Sequence, residues 1–211
     1  MIRVAVADDQ ALFCAGVQMM IESQPDLAFA GAASDGLEAV ALARTGAADV
    51  LLMDLRMPNL DGIAATATIR REAAAGLPRI VVLTTFERDD AVAAALRAGA
   101  DGFLLKDATP DFILASVRTV HDGHAVIAPK ETRELFASIA RRRPEAIAAL
   151  SVREKEVFLL AARGLGNAEI GRTAFISEAT VKTHIRSILA KLGLATRVQL
   201  VAFAYENGLV R

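Results

Sequence analysis

Tryptophan is absent from the 211 residues, and tyrosine and cysteine occur once each. No stretch reaches the roughly 18 uncharged apolar residues needed to span a bilayer. The single cysteine, Cys14, excludes an intramolecular disulfide and fits a reducing compartment. The opening residues, Met1 to Asp8, turn acidic too soon for a secretory signal. A cytoplasmic protein with no membrane segment is the expectation. Net charge is also scarce, at −1. That near-neutrality conceals two unlike halves. Residues 1–122 carry 10 Lys+Arg against 17 Asp+Glu, a balance of −7, whereas residues 123–211 carry 14 against 8, a balance of +6. An acidic half can gather a metal cation, and a basic half can approach phosphates. What the chain has in plenty is apolar residues, 54% of the total, which excludes a disordered polypeptide.

The first half alternates short apolar runs with longer amphipathic ones. The runs Arg3–Ala7, Leu27–Ala32, Val50–Met53, Ile80–Leu83 and Gly102–Leu105 are apolar on both faces, as buried parallel strands are. Between them, Ala11–Ser23, Gly36–Arg44, Gly62–Ala75, Asp89–Ala98 and Pro110–His121 read as helices. Thr109-Pro110 places an N-cap before a proline at the first helical position. Five strands alternating with five helices predict an α/β fold, a doubly wound five-stranded parallel sheet, over residues 1–122. Residues 123–146 read as a linker with a helix around Lys130–Ala140, stopped by Pro144. From 147 to 211 the strand pattern is gone, and a second, all-α, four-helix domain is expected. Ser151-Val152-Arg153-Glu154 is a capping box, Asn167 and Ser177 are expected to cap the next two helices, and Gly193 to end the third.

In open α/β sheets, sites form at the carboxyl ends of the strands. Asp8 and Asp9 end the first predicted strand, Asp54 the third, Thr84 the fourth and Lys106 the fifth. Carboxylates brought together repel one another and need a cation. An all-oxygen set suits a hard ion such as Mg2+. A carboxylate so placed can attack a phosphoryl group, while an ammonium and a hydroxyl hold the transferred oxygens. The same chemistry also fits a Mg2+-dependent phosphohydrolase with Asp54 as nucleophile, but Arg56 stands where such enzymes commonly carry a second aspartate.

The segments Asp8-Asp9, Met53-Asp54-Leu55-Arg56-Met57-Pro58, Leu83-Thr84-Thr85-Phe86 and Gly102-Phe103-Leu104-Leu105-Lys106-Asp107 resemble the signature segments of CheY-like receiver domains. That resemblance implies a phosphoacceptor at Asp54. It implies Mg2+ held by Asp8, Asp9, Asp54 and the main-chain carbonyl of Arg56. It also implies a phosphate-contacting Lys106, a switch hydroxyl at Thr84 and a switch aromatic at Phe103. Cys14 departs from relatives that carry arginine there, and is expected to serve packing.

In the second half, Val181, Ile185, Ile188, Leu189 and Leu192 form one apolar helical face, leaving Lys182, Thr183, Arg186 and Ala190 on the other. Such a helix can enter a DNA major groove, with Ser177 and Thr180 near its start able to donate to phosphates. The segments Leu150 to Val157, Gly164 to Ile170 and Ile176 to Ile185, with Lys191-Leu192-Gly193, resemble the LuxR-type helix-turn-helix. Joined to a receiver, this is similar to the NarL/FixJ class of two-component response regulators. The resemblance implies a sensor histidine kinase as phosphoryl donor, a homodimer formed on phosphorylation, and double-stranded promoter DNA as target. It implies no enzymatic turnover. Lys182, Thr183 and Arg186 are the expected groove contacts. Ala174 and Gly171 stand where larger aliphatic and alanine residues are usual, and both are expected to loosen their helix. A helical glycine costs roughly 1 kcal/mol against alanine.

Overall fold

The computed structural model describes residues 1–72, 78–85, 89–124, 126–127 and 144–210. It divides into two compact units, Met1–Ala128 and Pro129–Arg211. The helix expected around Lys130–Ala140, and Phe86, lie outside the described residues.

The first unit runs β1 (Ile2–Ala7), α1 (Ala11–Glu22), β2 (Leu27–Ala33), α2 (Gly36–Arg44), β3 (Val50–Asp54), α3 (Gly62–Arg71), β4 (Arg79–Thr84), α4 (Asp89–Ala98), β5 (Gly102–Leu105), α5 (Pro110–His121) and β6 (Val126–Ile127). All strand pairs are parallel, in the order β2-β1-β3-β4-β5-β6. Both alternating sets of strand side chains are buried. Val4, Val6, Val50, Leu52, Val81, Leu83 and Leu104 pack with Val17 and Ile21 of α1 and with Ile113, Val117 and Val120 of α5. Ala5, Leu51, Met53, Ile80 and Val82 are buried as well. This two-sided burial is why the strands read as continuous apolar runs rather than as alternation.

Local signals set the helix starts. Asp35, Asp61 and Thr109 each accept the backbone N–H three residues on, capping α2, α3 and α5. The α3 helix ends at Arg71, short of the expected Ala75.

The sheet has a sixth strand where the sequence reads as linker. Val126 and Ile127 pair with Gly102 and Phe103 of β5. Two residues are too few for a periodic signal, so the pairing is not legible locally. It depends on Gly102, where a Cβ would lie 3.2 Å from Val120 Cγ2, 3.3 Å from the Val126 carbonyl oxygen and 3.4 Å from Val81 Cγ2.

The second unit begins with a 3-10 turn, Pro144–Ile147, followed by α6 (Val152–Ala162), α7 (Asn167–Ala174), α8 (Glu178–Leu192) and α9 (Arg197–Glu206). Phe158, Ile170, Val181, Ile188, Leu200 and Ala204 form its centre. Phe158 meets Phe203 edge to face, with ring centroids 6.3 Å apart. Ser151 and Glu154 make the expected capping box, and Ser177 caps α8. Asn167, expected as a cap, is instead the first residue of α7. Gly166 is the cap position, and its N–H donates to Glu169 Oε2 at 2.8 Å. The Asn167 side chain is buried and accepts from Arg197 Nη1 at 2.6 Å. A buried guanidinium outbids a helix N–H for that amide oxygen, because an unpaired buried charge costs more.

Gly102→Ala should crowd α5 and β6 and destabilise the first unit by about 1–3 kcal/mol. Urea denaturation followed by far-UV circular dichroism measures this. The fluorescence of Tyr205, the only tyrosine and a residue of α9, should report an unchanged transition for the second unit.

Candidate phosphoacceptor site and DNA-facing helix

The sheet register builds the acidic pocket. Ala7 pairs with Met53, and Asp54 pairs with Leu83. Asp8 therefore follows β1 beside Asp54 at the end of β3, and Thr84 ends the neighbouring β4. Lys106, just past β5, donates its main-chain N–H to the Thr84 carbonyl at 2.8 Å. Its ammonium lies 2.7 Å from Asp8 Oδ2 and 3.0 Å from Asp54 Oδ2. Asp8 and Asp54 are buried, and Asp9 is exposed.

These burials set the electrostatics. Desolvation raises the Asp54 carboxyl above the ordinary carboxylate range, and Asp8 adds to the rise. Lys106 and the Arg56 backbone N–H, both bonded to the carboxylate, oppose it. Burial pulls Lys106 down, but the negative charges of Asp8 and Asp54 beside it outweigh that, and its affinity for a proton rises. The ammonium is therefore a fixed cation at neutral pH.

Asp8, Asp9 and Asp54 bring one carboxylate oxygen each to within 4.8 Å of one another. Asp8 Oδ2 is buried, and its contact with Lys106 lacks the angle of a hydrogen bond. It thus keeps lone pairs for a ligand from within the pocket. The three oxygens fit a hard divalent ion.

The other predicted residues lie around this centre. The Thr84 hydroxyl is half-buried and donates to the Thr85 carbonyl at 3.1 Å. Phe103 is buried in β5. The Arg56 side chain is exposed and reaches Thr85 Oγ1 at 3.4 Å. Cys14 is half-buried, packs against the core and donates weakly to the Asp8 carbonyl at 3.4 Å. Burial and the neighbouring Asp8 push its thiol up, away from the reactive thiolate. Sequence reasoning missed Phe13, whose ring centroid is 5.1 Å from Lys106 Nζ. An aromatic four residues after an acidic pair is too common a pattern to single out.

In the second unit, α8 buries Val181, Ile185 and Ile188 and exposes Lys182, Thr183, Arg186 and Ala190. Lys182 Nζ sits 3.0 Å from Glu178 Oε1, and the Thr183 hydroxyl donates to the Ala179 carbonyl at 3.1 Å. Ser177 and Thr180 are exposed at the helix start, their hydroxyls 2.8 Å apart.

An ion contact between the buried Glu154 and the exposed Lys191 holds this helix. Glu154 of α6 accepts from Ser187 at 2.7 Å and from the Lys191 ammonium at 2.7 Å and 2.8 Å. Lys191 and the Ser151 backbone hold its carboxyl down at about 2. Arg197 donates to Asn167 and to the Leu165 carbonyl, pinning the α6–α7 turn to α9. Burial lowers its pKa to about 10, so it stays charged at neutral pH.

Between α7 and α8, Phe175 takes a left-handed conformation, φ 54°. This turn brings the Ile176 carbonyl oxygen to 2.8 Å from where a Cβ on Gly171 would stand. Gly171 therefore does more than loosen its helix: the backbone approaches too closely for alanine without a shift.

Residues 4–118 match the response regulator receiver domain family, and residues 148–204 match the luxR family of bacterial regulatory proteins. The chain belongs to the two-component response regulators that join a receiver to a LuxR-type DNA-binding domain. It is 40% identical over 212 residues to the transcriptional regulatory protein LiaR of Bacillus subtilis (strain 168), covering 100% of both chains. It is also 40% identical over 217 residues to the uncharacterized transcriptional regulatory protein YxjL of the same strain, covering 100% of this chain and 98% of YxjL. Among solved structures, the response regulator ChrA of a heme-sensing two component system aligns with a TM-score of 0.55 at 34% identity. That alignment covers 99% of this chain and 98% of ChrA.

Glu154 makes the second unit acid-sensitive. Its folded pKa lies below the ordinary 4.5, so its contribution is full above about 4.5 and is lost as pH falls toward about 2. Glu154→Gln should therefore flatten the decline in stability across that window. Urea midpoints read from Tyr205 fluorescence at stepped pH check this, and an unchanged slope counts against the Glu154–Lys191 contact.

Proposed function

We propose that the chain is a phosphorylation-switched transcription regulator in which Asp54 accepts a phosphoryl group from a sensor histidine kinase. The observation that carries this reading is the Lys106 ammonium lying between the buried Asp8 and Asp54, with Asp9 beside them. Three carboxylates and one ammonium leave a formal deficit of two positive charges, which one divalent ion supplies. Asp8, Asp9, Asp54 and the Arg56 carbonyl would hold Mg2+, whose chemistry is to neutralise the transferred oxygens. An Asp54 oxygen attacks phosphorus, the bond from phosphorus to the donor histidine nitrogen breaks, and the imidazole, already protonated on its other ring nitrogen, leaves neutral. Lys106 holds an oxygen of the acyl phosphate.

The phosphoryl group brings about −1.5 to −2 charge, going by phosphorylated hydroxyl residues. Thr84 turns its hydroxyl from the Thr85 carbonyl toward the new oxygens, and Phe103 moves into the space. Two packed arrangements of this sheet edge form the switch. The functional division is a receiver that runs beyond the expected 122 to take in β6, a linker shorter than the expected 123–146, and a DNA-binding domain over 147–211. Phosphorylation promotes pairing of two copies. That aligns two α8 helices with promoter half-sites about 10 bp apart. Lys182, Thr183 and Arg186 enter the groove, with Ser177 and Thr180 at phosphates. The relatives are transcriptional regulators, and Arg56 occupies the place of a hydrolase's second aspartate. The protein is therefore a regulator, not an enzyme with turnover. No single helix among the described residues is long and apolar enough to cross a membrane. A cytoplasmic setting suits a DNA target.

Incubation with acetyl phosphate and Mg2+ should add one phosphoryl group to the intact mass, and Asp54→Asn should add none. Phosphorylation of the Asp54→Asn protein at another aspartate would sink the assignment. On DNA, Arg186→Ala should cost about 1–3 kcal/mol per half-site and relax preference at one base if Arg186 reads it bidentately. If Arg186 touches only phosphate, affinity should fall evenly and the salt slope should shrink by about one. Titrations of matched and mismatched operators at several salt concentrations separate these. If Lys182→Ala and Arg186→Ala both change nothing, α8 is not the reader.

A further inference from the structure

The loop from Leu55 to Asp61, which follows the phosphoacceptor, is tied down at several points. At its far end the Gly62 N–H donates to the Leu55 carbonyl at 3.0 Å. Gly62 is pressed against Asp54 itself: a Cβ there would lie 1.9 Å from the Asp54 carbonyl oxygen. At the loop's tip the Leu60 N–H donates to the Pro58 carbonyl at 2.6 Å, and the Gly36 N–H donates to the Leu60 carbonyl at 3.0 Å. Gly36 too has no room for a side chain, with the Leu60 oxygen 2.2 Å from its Cβ position.

One side-chain contact completes this set. Asn59 Nδ2 donates to Asp35 Oδ2 at 2.6 Å, while Asp35 Oδ1 caps α2 by accepting from the Glu38 N–H at 2.8 Å. Asp35 is buried, so both oxygens are occupied where water has little access. The cap and Asn59 hold its carboxyl below the ordinary range. Asn59 has φ 61°, a left-handed conformation that most side chains avoid. Asparagine is among the few residues that tolerate it. The strand order β2-β1-β3 gives the tie a particular path. Asp35 follows β2 and Asn59 follows β3, so the bond joins the loops on either side of the carboxyl end of β1, where Asp8 and Asp9 stand. Within the tied loop, the Arg56 N–H donates onto the Asp54 carboxylate.

We propose that Asp35 and Asn59 are positioning residues for phosphoryl acceptance: their bond fixes the loop that places the Arg56 amide on Asp54 and offers the Arg56 carbonyl to Mg2+. The proposal rests on the reading of Asp54 as a Mg2+-dependent phosphoacceptor. A purely structural role predicts lost stability. A positioning role predicts, in addition, weakened metal binding by the chain while it is folded.

Two variants of the full chain separate these roles. Asn59→Gly removes the tie while accepting the positive φ without strain. Asp35→Ser keeps a capping oxygen for α2 but is too short to reach Asn59. Each should weaken Mg2+ binding by about 10-fold, the lower end of losses seen when partners of metal ligands are removed. Isothermal calorimetry measures this on the folded chain, well below the urea midpoint, which should fall modestly as Asp35 Oδ2 loses its donor. The Mg2+ concentration giving half the maximal acetyl phosphate rate should rise in step. Asp35→Ser with Asn59→Gly should be no worse than either alone, since both break one bond. Wild-type Mg2+ affinity in Asn59→Gly, while Asp54→Asn loses it, overturns the tie and leaves the site standing. Wild-type Mg2+ affinity in Asp54→Asn overturns the reading of the site, and the tie's role with it.

Discussion

The phosphoacceptor pocket depends on the contact between the Lys106 ammonium and two buried carboxylates. Asp8 and Asp54 sit side by side because the parallel register of β1 and β3 leaves them no alternative. Two buried carboxylates in contact would ordinarily force one to take up a proton. The Lys106 ammonium, within 3.0 Å of both, opposes that shift. Removing one partner from such a group leaves an uncompensated buried charge, at a typical cost of about 3–5 kcal/mol. Neighbouring features serve this arrangement: Phe13 lies against the ammonium, Gly62 leaves the Asp54 backbone undisplaced, and the main chain of Lys106 is anchored on Thr84.

The DNA-binding unit uses buried charge in another way. Glu154 with Lys191, and Arg197 with Asn167, are matched pairs whose donors and acceptors find one another inside the unit. Their result is geometric. Glu154 reaches from α6 to the last turns of α8 and fixes the roll of that helix, so Lys182, Thr183 and Arg186 stay on its exposed side. An apolar contact of the same area would hold α8 against the core but would specify its rotation less sharply, because hydrophobic burial is non-directional.

Much of this was legible in the sequence, and the exceptions have physical causes. Strand-length apolar runs and strand-end polar residues are local signals, so the five strands, the pocket carboxylates and Lys106 could be read directly. The apolar stripe of α8 was equally readable from its period. What escaped was whatever depends on a distant partner. The strand Val126–Ile127 pairs with Gly102 and Phe103, 24 residues earlier, where Gly102 keeps its backbone close. Asn167 looks like a cap until Arg197 takes its oxygen, 30 residues later. Gly171 looks like a weak helix residue until the turn at Phe175 folds the Ile176 carbonyl onto it. Asp35 was not singled out, and its bond to Asn59 requires two loops to meet that only the sheet order brings together.

The two units thus differ in whether their buried charges close. In the second, the buried Glu154 meets the Lys191 ammonium, and the buried Arg197 meets Asn167 and the Leu165 carbonyl. In the first, three carboxylates face one ammonium, and Asp8 Oδ2 keeps unused acceptor capacity. Such a deficit is costly in a static structure and would be removed by any substitution that evened the charges. It becomes useful where a divalent cation binds, since the surplus negative charge attracts one. The sheet edge that carries the deficit also carries Thr84 and Phe103.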